Sequence, residues 1–121
     1  MNNKFCVSII NSHKNPDTAT VGFVVAGAAL GSEKETTIFL STDAVWIAVK
    51  GEAEKINIGE PFKPLKELLD SFIENGGKIL ACTPCLKTRG ITEDMLIDGV
   101  TPAGGAILVE LLAEGTPCIT Y

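Results

Sequence analysis

Basic charge is scarce in this chain. Ten Lys and Arg face fifteen Asp and Glu, a formal net charge of −5. The deficit is even: residues 1–60 carry five basic and seven acidic side chains, residues 61–121 five and eight. With no basic patch or tail to neutralise phosphates, direct nucleic-acid binding is not expected. Long apolar runs are also missing. The longest, Val21 to Leu30, is interrupted by Gly22 and Gly27 and is about half of what a membrane span needs. Met1-Asn2-Asn3-Lys4-Phe5 leads straight into a strand-like run, without the apolar region and small-residue cleavage site of a secretory signal. Repeats, linkers and low-complexity segments are absent. These absences lead us to expect a soluble, cytoplasmic protein with no membrane span.

What is present is core material. Hydrophobic residues make up 45% of the 121, enough to fold residues 1–121 as one domain without staples. Apolar, β-rich runs alternate with helical ones. Phe5 to Ile10 reads as a strand, followed by a turn and cap at Asn15-Pro16-Asp17-Thr18 and a deeply packed helix to about Leu30. Thr37 to Leu40 is a second strand. Ser41-Thr42-Asp43 then caps a short helix from Ala44 to about Val49, with Asp43 as an N-cap candidate. Residues 51–61 look like a mobile excursion, and Val45, Trp46 and Ile47 an exposed contact cluster, with Trp46 equally a core candidate.

Pro64 to Glu74 is amphipathic, Lys78 to Ala81 a strand, and Pro84 to about Thr88 a short helix. A weak strand at Gly99-Val100-Thr101, a helix from Gly104 to Leu112 and a strand from Pro117 to Tyr121 complete the chain. This alternation predicts a three-layer α/β/α sandwich around a mostly parallel five-stranded sheet. The C-terminal ends of its strands form the ligand-binding rim.

The four cysteines divide on that geometry. Cys6 and Cys118 fall near strand beginnings and read as small buried hydrophobes. Cys82 and Cys85 fall at the opposite rim, where Cys82-Thr83-Pro84-Cys85 joins the third strand to a helix. A thiol at a helix N-terminus is expected to ionise below the free value of about 8.5. Lys87 and Arg89 add positive charge nearby. The exits of the first two strands bring His13, which could orient or deprotonate a thiol, and Asp43, which could bind substrate, to the same rim.

The CxxC spacing serves dithiol redox chemistry, half of a zinc site, or simple packing. Zinc needs two further ligands, which only a subunit interface would supply, so no metal and no cofactor is expected. The Gly104-Gly105 pair lacks the glycine pattern and lysine of a phosphate loop.

Cys82-Thr83-Pro84-Cys85-Leu86-Lys87-Thr88-Arg89-Gly90 resembles the active-cysteine segment of the DsrE/DsrF-like family of sulfur-relay proteins. In that family a cysteine ends the third strand, and a basic residue and a glycine follow seven and eight positions later. Phe39 to Val45 resembles the family's second-strand exit, and Gly99 to Gly105 with Val109-Glu110-Leu111-Leu112 its closing turn and helix. The resemblance covers nearly the whole chain. It implies homo- or hetero-trimers or hexamers, sulfur donor and acceptor proteins as partners, and a persulfide on Cys82. Cys85 departs from the best-understood subunits and resembles a CxxC-bearing branch, where it would act as a resolving or relay thiol. Whether the chain is a sulfurtransferase-like carrier, a dithiol redox or redox-sensing protein, or a non-enzymatic ligand-binding or assembly subunit stays open at this point.

Overall fold

The computed structural model describes residues 3–121, so Met1 and Asn2 of the expected leader-free start lie outside the described residues. Five strands form one sheet: β1 (Lys4–Ile9), β2 (Glu35–Leu40), β3 (Lys78–Cys82), β4 (Val100–Ala103) and β5 (Cys118–Thr120). Their order is β4-β3-β2-β1-β5, and every pairing is parallel. Parallel strands covered on both faces should be almost continuously apolar, and β2 is buried from Thr36 through Leu40. The expected α/β architecture is therefore found.

Helix α1 (Pro16–Gly31) starts where the Asn15 side chain accepts the Thr18 N–H and Pro16 occupies the first turn. Gly22 allows α1 to close on β1, because a Cβ there would meet Ile9 Cδ1 at 2.9 Å. Helix α2 (Leu65–Glu74) buries Leu65, Leu69 and Phe72. Phe72 packs edge-to-face on Phe23 of α1, ring centroids 6.4 Å apart and planes at 82°.

Two expectations between β2 and α2 are corrected. Val45 and Ile47 are fully buried, and only Trp46 is partly exposed. The segment Thr42–Ala48 is a 3-10 turn, whose period of three aligns Ala44 with Ile47 and Val45 with Ala48 against the core. Residues 51–61 are not a coreless excursion either. Ala53 and Ile56 are buried, and Ile56 C=O accepts the Leu65 N–H at 3.0 Å.

The sheet register fixes which cysteines share a rim. Cys6 lies opposite Thr37, and Thr37 opposite Lys78, so Cys6 is level with the start of β3. Cys82 is four residues further along β3, or about 13 Å at the usual strand rise. Cys6 is directly opposite Cys118 and is fully buried, as expected. Cys118 is exposed, contrary to expectation, because β5 is a short edge strand with all three residues exposed.

Helix α4 (Gly105–Ala113) reaches that edge by the one crossover that runs back across the sheet. It has no buried residue, and Ile107, Val109 and Leu112 are 49%, 65% and 37% exposed. Among the described residues, no helix is long and apolar enough to cross a membrane.

Candidate functional site

The site lies at the C-terminal rim, where β3 gives way to helix α3 (Thr83–Thr88). Cys82 is the residue before the helix, and Pro84 sits in the first turn, where its missing N–H costs nothing. Cys85 lies one turn further, which returns its side chain to Cys82. The two Sγ atoms are 2.9 Å apart, a hydrogen-bonded dithiol whose closure to a disulfide needs about 2.05 Å. All four cysteines are free.

The exit of β2 supplies a third member, Thr42. Its backbone N–H donates to Cys85 Sγ at 3.2 Å. Thr42 adopts φ of +50°, a left-handed conformation that is costly for a β-branched residue. Its hydroxyl holds that conformation, lying 2.6 Å from Ile10 C=O at the exit of β1 and 2.7 Å from Ser41 C=O. Sequence reasoning included Thr42 only in a cap. The observed cap is Ser41, with no side-chain cap hydrogen bond.

Asp43 does not serve as the N-cap. It accepts from Arg89 Nη2 at 3.0 Å and Nε at 3.3 Å, and pairs with Lys14 Nζ at 3.2 Å. These two cations hold its carboxyl below the usual carboxylate range. Arg89 also donates through Nη1 to Cys85 C=O at 3.2 Å, and so ties the β2 exit to the end of α3. Lys87 is exposed on α3.

His13 is held by Ser12 and Glu52. Its Nδ1 lies 3.3 Å from Ser12 Oγ, and its Nε2 lies 3.3 Å from Glu52 Oε1 and 3.2 Å from Glu52 C=O. Ser12, His13, Lys14, Asp43, Trp46 and Glu52 line a cleft of about 330 Å³ beside the Asp43–Arg89 pair. The imidazole of His13, which could serve a thiol, makes an imidazole–carboxylate contact with Glu52. Lys14 and Glu52 carried no signal in the sequence, because their partners come from other loops.

The ionisation of Cys82 also departs from expectation. Burial pushes this thiol up, and the neighbouring Cys85 sulfur adds to the rise; the Cys85 N–H and the Arg89 charge pull the other way and do not prevail. A six-residue helix has little macrodipole to oppose that burial. Among the described residues, no three His, Cys, Asp or Glu side chains converge as metal ligands. The arrangement suits thiol chemistry on a pair of adjacent sulfurs.

The same architecture occurs in solved structures. The ychN protein from E. coli superposes with a TM-score of 0.83 over 100% of both chains at 21% identity. MTH1491 from Methanobacterium thermoautotrophicum superposes with a TM-score of 0.74 over 98% of both chains at 14% identity. In sequence, the model of the DsrE/DsrF-like family matches residues 3–121, and the chain belongs to that family. Protein MK0008 of Methanopyrus kandleri is 38% identical over 93 residues, 77% of this chain and 73% of its own length. Protein MJ0989 of Methanocaldococcus jannaschii is 32% identical over 118 residues, 98% of this chain and 99% of its own length. MJ0760 of the same organism is 31% identical over 100 residues, covering 83% of this chain but only 36% of its own length.

Proposed function

We propose that this member of a family associated with sulfur relay carries sulfane sulfur as a persulfide on Cys82, with Cys85 as its partner thiol. The observation that carries the reading is the pair of sulfurs 2.9 Å apart at the strand exit. With one proton already lost from the pair, Cys82 gives its proton to the Cys85 sulfur and attacks the outer sulfur of a donor persulfide, R–S–SH. This forms Cys82–S–SH and releases RS⁻. The sulfur then passes to an acceptor thiol. Asp43 and Arg89 brace the loop that supports the pair, Lys87 adds positive charge for an anionic sulfur group, and His13 borders the entrance through the adjoining cleft.

Donor and acceptor proteins are the partners of this reading, in the cytoplasm. The even negative charge argues against direct contact with nucleic acid. A homo-oligomer, a trimer or hexamer as the family resemblance implies, would cover α4. A helix that leaves Val109 65% exposed and buries none of its residues lacks a partner for its apolar surface.

The two adjacent free thiols also suit a second reading, a dithiol redox couple that never holds sulfane sulfur. Incubation with a low-molecular-weight persulfide, followed by intact mass measurement, separates the two. Carriage predicts one added sulfur, or a Cys82–Cys85 disulfide with released sulfide, in wild type and no added sulfur in Cys82→Ser. Equal sulfur uptake by both proteins removes the Cys82 assignment. A reversible disulfide formed without any sulfur adduct or released sulfide selects the redox couple.

A further inference from the structure

We propose that the Thr42 backbone N–H fixes the negative charge of the dithiol on Cys85, making Cys85 first the base and then the resolving thiolate of the pair. The proposal rests on the dithiol reading above and deepens it by dividing the roles of the two sulfurs.

The amide of Thr42 is aimed by strain. A threonine at φ of +50° relaxes unless its surroundings hold it. Here Ser41 N–H donates to Ile9 C=O at 3.1 Å, and the Thr42 hydroxyl lies 2.6 Å from Ile10 C=O. The loop is therefore strapped to β1 on one side and offers its N–H to Cys85 Sγ on the other. An N–H donated to sulfur stabilises thiolate far more than thiol, since charge-assisted hydrogen bonds are the strong ones.

Cys82 takes the Cys85 N–H of α3, and among the described residues no donor from another element joins it. Burial opposes its charge, and its closest sulfur neighbour is Cys85 itself. In the dithiol, Cys85 Sγ donates to Cys82 Sγ at 2.9 Å; once the pair has lost one proton, the Thr42 N–H favours the charge on Cys85 and the remaining proton on Cys82. The charged groups around the pair do not reverse this division. On α3, Arg89 donates to the Cys85 carbonyl and Lys87 is exposed. At the β2 exit, Asp43 is neutralised by Arg89 and Lys14. At the β1 exit, His13 is engaged by Glu52.

The chemistry balances in two steps. In loading, Cys85–S⁻ takes the proton of Cys82–SH, and Cys82–S⁻ attacks R–S–SH to give Cys82–S–SH and RS⁻. In discharge without an acceptor, the departing RS⁻ takes the Cys85 proton to become RSH, and Cys85–S⁻ attacks the inner sulfur of Cys82–S–SH. The Cys82–Cys85 bond forms, the S–SH bond breaks, and HS⁻ leaves with the electron pair. A dithiol reductant regenerates both thiols and becomes a cyclic disulfide.

The test is the pH dependence of alkylation at each thiol, read by peptide mass with iodoacetamide as the probe. In the Cys82→Ser protein, Cys85 should react at lower pH than Cys82 does in the Cys85→Ser protein; the reverse order overturns the proposal. In the Cys82→Ser background, Thr42→Val removes the hydroxyl that holds the loop, and should slow Cys85 alkylation at neutral pH about tenfold by moving its profile to higher pH. Thr42→Gly, which adopts positive φ freely, should keep the profile close to that of Thr42. Superposable profiles for Thr42 and a folded Thr42→Val overturn the amide's role, and the comparison of the two cysteines decides the matter even if Thr42→Val does not fold. Neither readout uses a sulfur donor. Failure of persulfide loading with these profiles intact would therefore count against carriage alone.

Discussion

Arg89 reaches Asp43, 46 residues away in sequence: its guanidinium meets Asp43 Oδ1 at 3.0 Å and the Cys85 carbonyl at 3.2 Å. The contact couples the β2 exit, which carries the Thr42 amide, to the helix that carries Cys85. It is a brace for the dithiol rather than a group in contact with either sulfur.

Replacing Arg89 with Lys keeps the charge but loses the fork that reaches both partners. We expect Arg89→Lys to lower the melting temperature by only a few degrees while slowing Cys85 alkylation several-fold. Thermal melts and alkylation rates on one preparation check this. Asp43 sits below the ordinary carboxylate range in the folded protein, so the stability it contributes is present above about pH 4 and is lost as pH falls through its folded value. The brace therefore stays intact throughout thiol assays at neutral and alkaline pH. A change in those assays across that range reports the thiols.

Cys6 gives a second pH prediction with the opposite sign. Burial, together with the adjacent Cys118, pushes its thiol up to about 12. The unfolded chain releases this proton near its free value of about 8.5 while the folded chain keeps it, so stability falls as pH rises, by up to about 1.4 kcal/mol per pH unit from this group. Denaturant melts between pH 9 and about 11 should show a shallower decline for Cys6→Ala than for wild type. In the native protein, a thiol reagent should label the exposed Cys118 quickly and leave the buried Cys6 unlabelled until unfolding.

The apolar surface of α4 gives a prediction about assembly. Val109 is 65% exposed on a helix that buries nothing. Val109→Glu should leave the melting profile of the isolated chain unchanged and shift the mass in solution toward monomer, measured by light scattering. A wild-type chain that is already monomeric at micromolar concentration would remove the oligomer from the proposal.

Gly77 tests the packing behind β3. A Cβ at this position would lie 2.3 Å from Phe72 Cε2, inside the ring's own volume. Gly77→Ala should therefore destabilise the protein by about 1–3 kcal/mol, the usual cost of overpacking, in a chemical denaturation curve.

Much of this was legible before the fold was seen. Short, continuous apolar runs such as Phe5 to Ile10 and Thr37 to Leu40 mark buried parallel strands, and the Pro16 and Asn75-Gly76-Gly77 signals bracket helices. That alternation places Cys82 at a strand exit and Cys6 at the other rim. The contacts that tune the site were not legible. Nothing in the word Ser41-Thr42-Asp43 says that Thr42 takes φ of +50° or that its amide faces a sulfur 43 residues away. His13 looked suited to thiols, and only the fold of the 49–56 segment brings Glu52 to it instead. Cys118 looked like a core residue because strand pattern does not distinguish an edge strand from a central one.

The most direct test concerns one tryptic peptide, Ile79 to Lys87, which contains both Cys82 and Cys85. The protein should be isolated without reductant, treated with a persulfide donor and digested under acid-quenched conditions for mass mapping. Carriage on Cys82 predicts one extra sulfur on Cys82, or an internal disulfide together with released sulfide, and no added sulfur on the peptide of the buried Cys6. A fully reduced, unmodified Ile79–Lys87 peptide after donor treatment, with no sulfide released, would contradict it.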